Sequence, residues 1–496
     1  MERPSPSNSV DPDAATFFIC PFTVSITGVD TTPTPCPRLP GESPLHSIHP
    51  CHRLAPPERC HPVEPSWAIR VSNVGTSLGG RLSHSRRVCI EARVTPEENG
   101  GVAQVVLGLA TGLGTLRDGD EEYLFLGDDR TAAWLNEWIG ANGRIVLSPG
   151  RVRSYFQRAL RDPLRAWQGL PPMTALLGPQ VTSSDGFVEG TGAGVVHFPY
   201  QYGFRTRIPT IYHPHDLQHV HLPQYFSAAD RRNRERFYGT LCRQAAMVAV
   251  ASSWVKRDVE SHFQLSPERV RVVPLAPANL AYPVPPEAEL AALRRRLELP
   301  PSFALYPART WPHKNHLGAV EAVAHLRTSR GLEVPLVFSG GQSEHAATVI
   351  ERARALGVEH LVRFVGHVTP LDLQCLYRLA RVVVVPSRFE AASFPVWEAH
   401  LAGVPVACSN VTSLPLQAGD AALLFDPDRP EEMAVAVERL WVDPALRAEL
   451  VRRGHASVAR FTWERTARIF RAHYRRLAGW PLTAEDAELL AEPPIM

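Results

Sequence analysis

The segment from Arg381 to Ala407 constrains the chain most. Val382 to Val385 is an unbroken β-branched run, the pattern of a strand buried on both faces of a parallel sheet. Ser393 can cap, and Pro395 can occupy the first turn of, a helix running through Trp397 and Leu401 to Gly403. Val404 to Ala407 then opens another buried strand. Strand, loop, helix and strand in this order place the loop at the carboxyl edge of an open α/β sheet. Ligands collect at that edge, and a helix amino terminus there favours an anion.

Glu390 lies before the helix and Glu398 falls in its first turn, with seven residues between them. They cannot share one helical face, so each meets a different part of an extended ligand. One carboxylate accepts hydrogen bonds from neighbouring hydroxyls. Two such carboxylates around a central anion site suit a sugar-phosphate-nucleoside, the shape of a nucleotide sugar. The plain alternative is an acidic helix start that complements the helix dipole.

Glu390-Ala-Ala-Ser-Phe-Pro395 through Glu398 resembles the Glu-seven-residues-Glu signature of the retaining family 4 glycosyltransferases. The usual pattern of that family is roughly Glu-Gly-Phe-Gly-Leu-Pro, with glycines where this chain has Ala391 and Ser393. The resemblance implies the GT-B fold, two Rossmann-like α/β domains facing each other across a cleft. It covers about residues 87 to 477 and is strongest from Phe303 to Pro427. It implies that Glu390 holds hydroxyls of the transferred sugar and Glu398 the ribose, with Ser393, Phe394 and Pro395 lining the same helix start. Arg309 and Lys314, in a loop after the strand expected at Phe303 to Tyr306, match the family's paired basic residues that hold the departing diphosphate. Fixed cations stabilise such charge strongly in a dry cleft. Val365 and Gly366 stand where the family frames the nucleotide base, and Gly100 and Gly101 match its glycine loop in the first domain. His213-Pro-His215-Asp216 resembles the family's His-Asp stretch, which assigns His215 to the reaction centre and leaves Asp216 to orient it.

Arginine dominates the basic residues, and only Lys256 and Lys314 are lysines. A lysine against that background invites the question of what a compact ammonium does that a guanidinium would not. The net charge of +2 gives no support to nucleic-acid binding. No apolar run reaches the length of a membrane span, and the first residues lack the pattern of a secretory signal. The expectation is a cytoplasmic protein.

In chain order, residues 1–65 read as a disordered Pro/Ser/His-rich extension. Cys20, Cys36, Cys51 and Cys60 lie there among histidines, without the spacing of a zinc ribbon or finger. Residues 87–274 form the first Rossmann-like domain, on the acceptor side. Residues 275–302 are the linker, 303–460 the nucleotide-sugar domain, and 461–480 a helix crossing back to the first domain. Within the first domain a helix is expected from Val102 to Leu113 and another from about Ala132. The stretch Arg151 to Trp167 alternates arginines with apolar residues, as a solvated basic helix does, or one touching an anionic membrane surface or an acidic acceptor. Asp118-Gly-Asp120 and Asp426-Pro-Asp428 carry the Asp-x-Asp pattern of metal-dependent transferases, but both read as turns.

The expected activity is transfer of a sugar from a nucleotide-diphosphate sugar, GDP-mannose or a UDP-hexose, to an acceptor hydroxyl. Retention of configuration follows from the resemblance, and no metal or cofactor is expected. The acceptor is a glycan, a lipid-linked molecule or a small molecule. Two alternatives stay open: a nucleotide-sugar epimerase of the same fold, and a non-catalytic nucleotide-sugar-binding scaffold.

Overall fold

A computed structural model describes residues 86–147, 181–277 and 284–496. The amino-terminal extension and the Arg151 to Trp167 stretch lie outside the described residues. The first sheet contains β1 (Arg86–Glu91), β2 (Glu121–Gly127), β3 (Gly143–Leu147), β4 (Ala193–Phe198), β5 (Thr210–Tyr212), β6 (Met247–Val250) and β7 (Val270–Val272). Its order is β3-β2-β1-β4-β5-β6-β7, and every pairing is parallel. The second sheet contains β8 (Ala304–Pro307), β9 (Leu336–Ser339), β10 (Val362–Gly366), β11 (Val382–Val385), β12 (Val406–Ser409) and β13 (Ala422–Phe425). It is also all parallel, in the order β10-β9-β8-β11-β12-β13.

Both sheets reverse their winding beside their first strand, between β1 and β4 and between β8 and β11. A crevice opens at each reversal, outside the carboxyl ends of the strands. The fold is the two-domain Rossmann-like α/β arrangement expected from the sequence. β11 matches its expected bounds residue for residue, because all four valines are buried and Pro386 ends the run. β12 starts at Val406, two residues later than expected, after Pro405 accepts a bond from Val383 N–H through its carbonyl.

The helix Phe394–Ala402 is apolar nearly all round because it is covered on two sides. Val396 and Ala399 enter the core of the second domain. Trp397, with Phe394 and Leu401, packs into the cluster built mainly on β1, the helix Gly101–Thr115 and the crossing helix Trp463–Ala478. This helix is therefore wedged between the cores.

The crossing helix lies on Gly101–Thr115 at a separation that needs glycine. A Cβ on Gly108 would stand 1.9 Å from the Trp463 ring, and one on Gly112 would stand 2.2 Å from the Trp463 carbonyl oxygen. The helix is also pinned by polar contacts. Arg475, buried, donates to Glu121 at 2.6 Å and to Asp486 at 2.7 Å. Tyr474 OH lies 2.7 Å from His197 Nδ1, whose Nε2 is 2.9 Å from His213 Nε2, so His213 belongs to this buried anchor.

Two local readings differ from the sequence expectation. The helix expected near Ala132 is Asp129–Leu135, because Asp128 accepts Thr131 N–H at 2.9 Å and caps it earlier than the apolar pattern suggests. The helix expected at Val102 to Leu113 extends to Gly101–Thr115. The one helical stretch expected within the Pro-rich linker is Glu287–Arg296, whose Leu290 and Leu293 enter the second core.

Candidate functional site

The crevice between β8 and β11 gathers the expected donor residues. The loop after β8 carries Arg309 and Lys314, and the loop after β11 carries Glu390. Lys314 Nζ donates to Glu390 Oε1 at 2.7 Å, with side-chain exposures of 25% and 10%. Ser387 donates to the same oxygen at 2.6 Å, and Tyr306 OH lies 2.8 Å from Ser387 Oγ. The Glu390 backbone is held by Thr412, which accepts from its N–H at 3.1 Å and donates to its carbonyl at 2.7 Å. Among the described residues no hydrogen bond reaches Glu390 Oε2. One carboxylate oxygen is thus occupied by the protein and the other is available to a ligand.

Arg309 is exposed at the rim, its guanidinium against Gly341, where a Cβ would approach Nε to 2.9 Å. Val365 and Gly366 are half-buried at the end of β10, next to a register shift against β9. Gly366 is joined to the β9 loop by its carbonyl, which accepts Gly340 N–H at 2.7 Å.

Glu398 lies one turn deeper than expected, in the second turn of Phe394–Ala402, and is buried. Its Oε2 accepts from Tyr377 OH at 2.7 Å. Burial pushes its carboxyl up to about 7, although the Tyr377 hydrogen bond acts the other way. Ser393 stands at the amino end of this helix, but its side chain does not cap it. Its N–H donates to Gln417 at 2.8 Å and its carbonyl accepts from Gln417 at 2.7 Å, so the backbone is held from outside the helix. Ser393 Oγ is left buried without a hydrogen-bond partner among the described residues. Pro395 occupies the first turn, as expected.

The carboxyl edge of the first sheet faces this crevice. Gly100 takes φ +48°, ψ −117°, a conformation suited to glycine, and precedes the helix starting at Gly101. A Cβ on Gly101 would stand 3.7 Å from the Phe394 ring. Phe389 packs against Trp254 and His221, with ring centroids 5.7 and 5.5 Å away. Ala391 packs on the core of the first domain, and Ser413 Oγ lies 2.6 Å from Ser252 Oγ. Ala391, at the first of the expected glycine positions, therefore stands at the contact between the sheets' edges, and Ala392 packs there too.

His215, after β5, has φ +59° and a buried Nε2 without a partner among the described residues. Burial pushes its imidazole down to about 4, so it is neutral at physiological pH. Among the described residues no hydrogen bond joins Asp216 to His215, and Asp216 Oδ1 accepts Gln218 N–H at 3.1 Å. Burial raises the Asp216 carboxyl, which also senses the charges of Glu390 and Lys314 across the crevice.

Both Asp-x-Asp segments are turns bound into the scaffold. Asp118 accepts both Arg471 guanidinium nitrogens, and Asp120 pairs with Arg86 at 2.9 Å. Asp426 accepts Asp428 N–H at 2.9 Å, and Asp428 pairs with Arg388 at 2.8 Å. Among the described residues there is no cluster of three or more His, Cys, Asp or Glu side chains arranged to hold a metal ion. Cys89, Cys242, Cys375 and Cys408 are buried free thiols, as expected. Lys256, the other lysine, bonds Pro267 O at 3.0 Å and pairs with Glu260 at 3.3 Å.

Sequence reasoning missed Tyr306, Ser387, Tyr377 and Thr412. Ser387 carried a signal, being a hydroxyl between an all-valine strand and Glu390. Tyr377 and Thr412 are placed only by the tertiary fold.

Residues 99–276 match the family described as Glycosyltransferase Family 4, and residues 293–456 match Glycosyl transferases group 1. The chain is 29% identical over 250 residues to the O-antigen chain mannosyltransferase B of Escherichia coli, covering 50% of this chain and 66% of that one. It is 35% identical over 243 residues to a D-inositol 3-phosphate glycosyltransferase of Acidothermus cellulolyticus, covering 47% and 53%. The matches thus span from about half to just under two thirds of these relatives. The crystal structure of Anabaena Alr3699/HepE in complex with UDP and glucose superimposes with a TM-score of 0.59 at 17% identity, covering 79% of this chain and 100% of that one.

Proposed function

As the chain belongs to the group 1 glycosyltransferases, we propose that it transfers a hexosyl group from a nucleotide-diphosphate sugar to an acceptor hydroxyl, with retention of configuration and without a metal. The observation that carries this reading is the Lys314–Glu390 pair at the β8/β11 crevice, with Glu390 Oε2 open beside it. A cation for the diphosphate and a carboxylate for the sugar stand side by side where a nucleotide sugar would cross from one to the other. Arg309 supplies a second cation at the rim, and Glu398 binds the ribose hydroxyls at the far side of the helix start. The mannosyltransferase and D-inositol 3-phosphate glycosyltransferase names of the relatives, and the UDP and glucose of the Anabaena structure, support GDP-mannose or a UDP-hexose as donor.

In the reaction the acceptor oxygen bonds to the anomeric carbon on the face that the leaving diphosphate vacates. The bond from that carbon to the phosphate oxygen breaks, and the acceptor proton passes to the diphosphate. Arg309 and Lys314 stabilise the charge that develops on it. His215, neutral and presented from the facing sheet, hydrogen-bonds a hydroxyl at the reaction centre. The acceptor, a glycan, a lipid-linked molecule or a small molecule, approaches from the first domain. No described helix is long and apolar enough to cross a membrane; cytoplasmic placement, with peripheral contact at an anionic membrane, is part of the same proposal.

The test is turnover. The purified protein is incubated with GDP-mannose, UDP-glucose or UDP-N-acetylglucosamine and a panel of sugar, lipid-linked and inositol acceptors. Acceptor-dependent release of nucleoside diphosphate, with a product of retained anomeric configuration, is expected. Rearranged sugar nucleotide without an acceptor would identify an epimerase, and binding without turnover across the panel would favour the scaffold.

A further inference from the structure

The two oxygens of Glu390 are not equivalent, and the protein makes them so. Oε1 accepts from Lys314 Nζ and from Ser387 Oγ, at 2.7 and 2.6 Å. An ionised carboxylate only accepts, so the single Ser387 proton points to Glu390. Ser387 Oγ must then accept from its other neighbour, the Tyr306 hydroxyl 2.8 Å away. The one proton of that hydroxyl is shared between Ser387 Oγ and the Lys314 main-chain oxygen, which accepts from it at 3.1 Å. Ser387 and Tyr306 are 0% and 1% exposed, so the chain of bonds is sealed from water.

The arrangement ties together the two strands that flank the crevice. Tyr306 lies on β8, whose loop carries Lys314, and Ser387 follows β11, whose loop carries Glu390. We propose that Tyr306 and Ser387 are positioning residues for the donor sugar. They hold the Glu390 carboxylate in the rotamer that gives Oε1 to the protein and turns Oε2 toward the sugar hydroxyls. Neither touches the nucleotide. This assignment rests on the reading of Glu390 and Lys314 as donor ligands, and it adds which residues separate sugar recognition from diphosphate recognition.

Without the Ser387 proton, the carboxylate keeps Lys314 but loses the contact that fixes its rotation. The loss should fall on ligands that carry the sugar and spare those that carry only the diphosphate. A residue acting merely in packing would weaken both alike.

The experiment compares wild type, Ser387→Ala, Tyr306→Phe and the double variant. Calorimetric Kd values are measured for the nucleotide sugar that the wild type turns over and for its free nucleoside diphosphate, with kcat alongside and melting curves to verify folding. The expected result is nucleoside diphosphate affinity within about three-fold of wild type and nucleotide-sugar affinity or kcat lowered about ten-fold or more, the scale of one hydrogen bond to a charged group. The double variant should lose little beyond Ser387→Ala, because both substitutions break one chain of bonds. Equal losses for both ligands, or no loss in folded variants, would overturn the assignment. A wild type that binds neither ligand would instead remove the donor-site reading on which it stands.

Discussion

Glu390→Gln should have opposite effects on two ligands. In the free protein the Lys314 ammonium is already engaged, 2.7 Å from Glu390 Oε1 with both side chains largely buried. A nucleoside diphosphate must share that ammonium with the carboxylate and place its own negative charge close to it. At 4 Å and an effective dielectric constant of 20, two like charges repel by about 4 kcal/mol. Solvent, counterions and rearrangement reduce this to the net range of a hydrogen bond to a charged group, about 1.5 to 3 kcal/mol. The glutamine amide removes the charge and keeps an oxygen for the Ser387 proton. Nucleoside diphosphate should therefore bind Glu390→Gln about ten-fold more tightly than wild type, or somewhat beyond. The same substitution removes the anionic acceptor for the sugar hydroxyls, so kcat/KM for the nucleotide sugar should fall about 100-fold. Calorimetric titration and steady-state kinetics on one preparation read both. Weaker or unchanged nucleoside diphosphate binding would refute the argument that Glu390 and the diphosphate compete for Lys314.

Lys314→Ala should cost about 2 to 4 kcal/mol of transition-state stabilisation, whereas Lys256→Ala, which loses a contact to Pro267 O and an ion pair with Glu260 away from the crevice, should leave kcat/KM unchanged; equal kinetics in both would sink the role of Lys314. The Glu398 carboxyl, raised by burial to about 7, binds more protons in the native state than in the unfolded chain. Its stabilising effect is thus full below its unfolded value near 4.3 and is lost as pH rises through about 7. Glu398→Gln should raise the melting temperature of the unliganded protein at pH 8 and leave it nearly unchanged at pH 5. Nucleotide-sugar affinity should fall about ten-fold from pH 8 to pH 6 in wild type, because the ribose needs the ionised form, and stay flat in Glu398→Gln; a flat wild-type profile would remove Glu398 from the ribose. Gly108→Ala should destabilise by about 1 to 3 kcal/mol, since its Cβ would overlap the Trp463 ring at 1.9 Å, and an unchanged melt would contradict the close helix contact.

Much of the scaffold was legible because its elements follow local rules. Val382 to Val385 announced a doubly buried strand, and the basic and acidic loop residues that follow β8 and β11 fell at one crevice because the winding reverses between those strands. Helix starts were less legible where polar caps precede the apolar pattern, as at Asp128. Ser393 was read as a cap from its type, but a side-chain amide 24 residues away, Gln417, claims its backbone. The contacts that tune the site are the least local. Tyr306 meets Ser387 across 81 residues and Tyr377 meets Glu398 across 21, distances over which no periodicity carries information. Ala391 and Ala392 looked like departures in a ligand loop, and Ala391 proves to pack on the opposite domain.

The most direct test of the donor site is calorimetric titration of wild type and an Arg309→Ala, Lys314→Ala double variant with GDP-mannose, UDP-glucose and UDP-N-acetylglucosamine. One nucleotide sugar should bind wild type selectively, and the folded double variant should bind it about 100-fold more weakly or not at all. Binding of none of the three to folded wild type, or equal binding to both proteins, would contradict the assignment of the β8/β11 crevice to the donor.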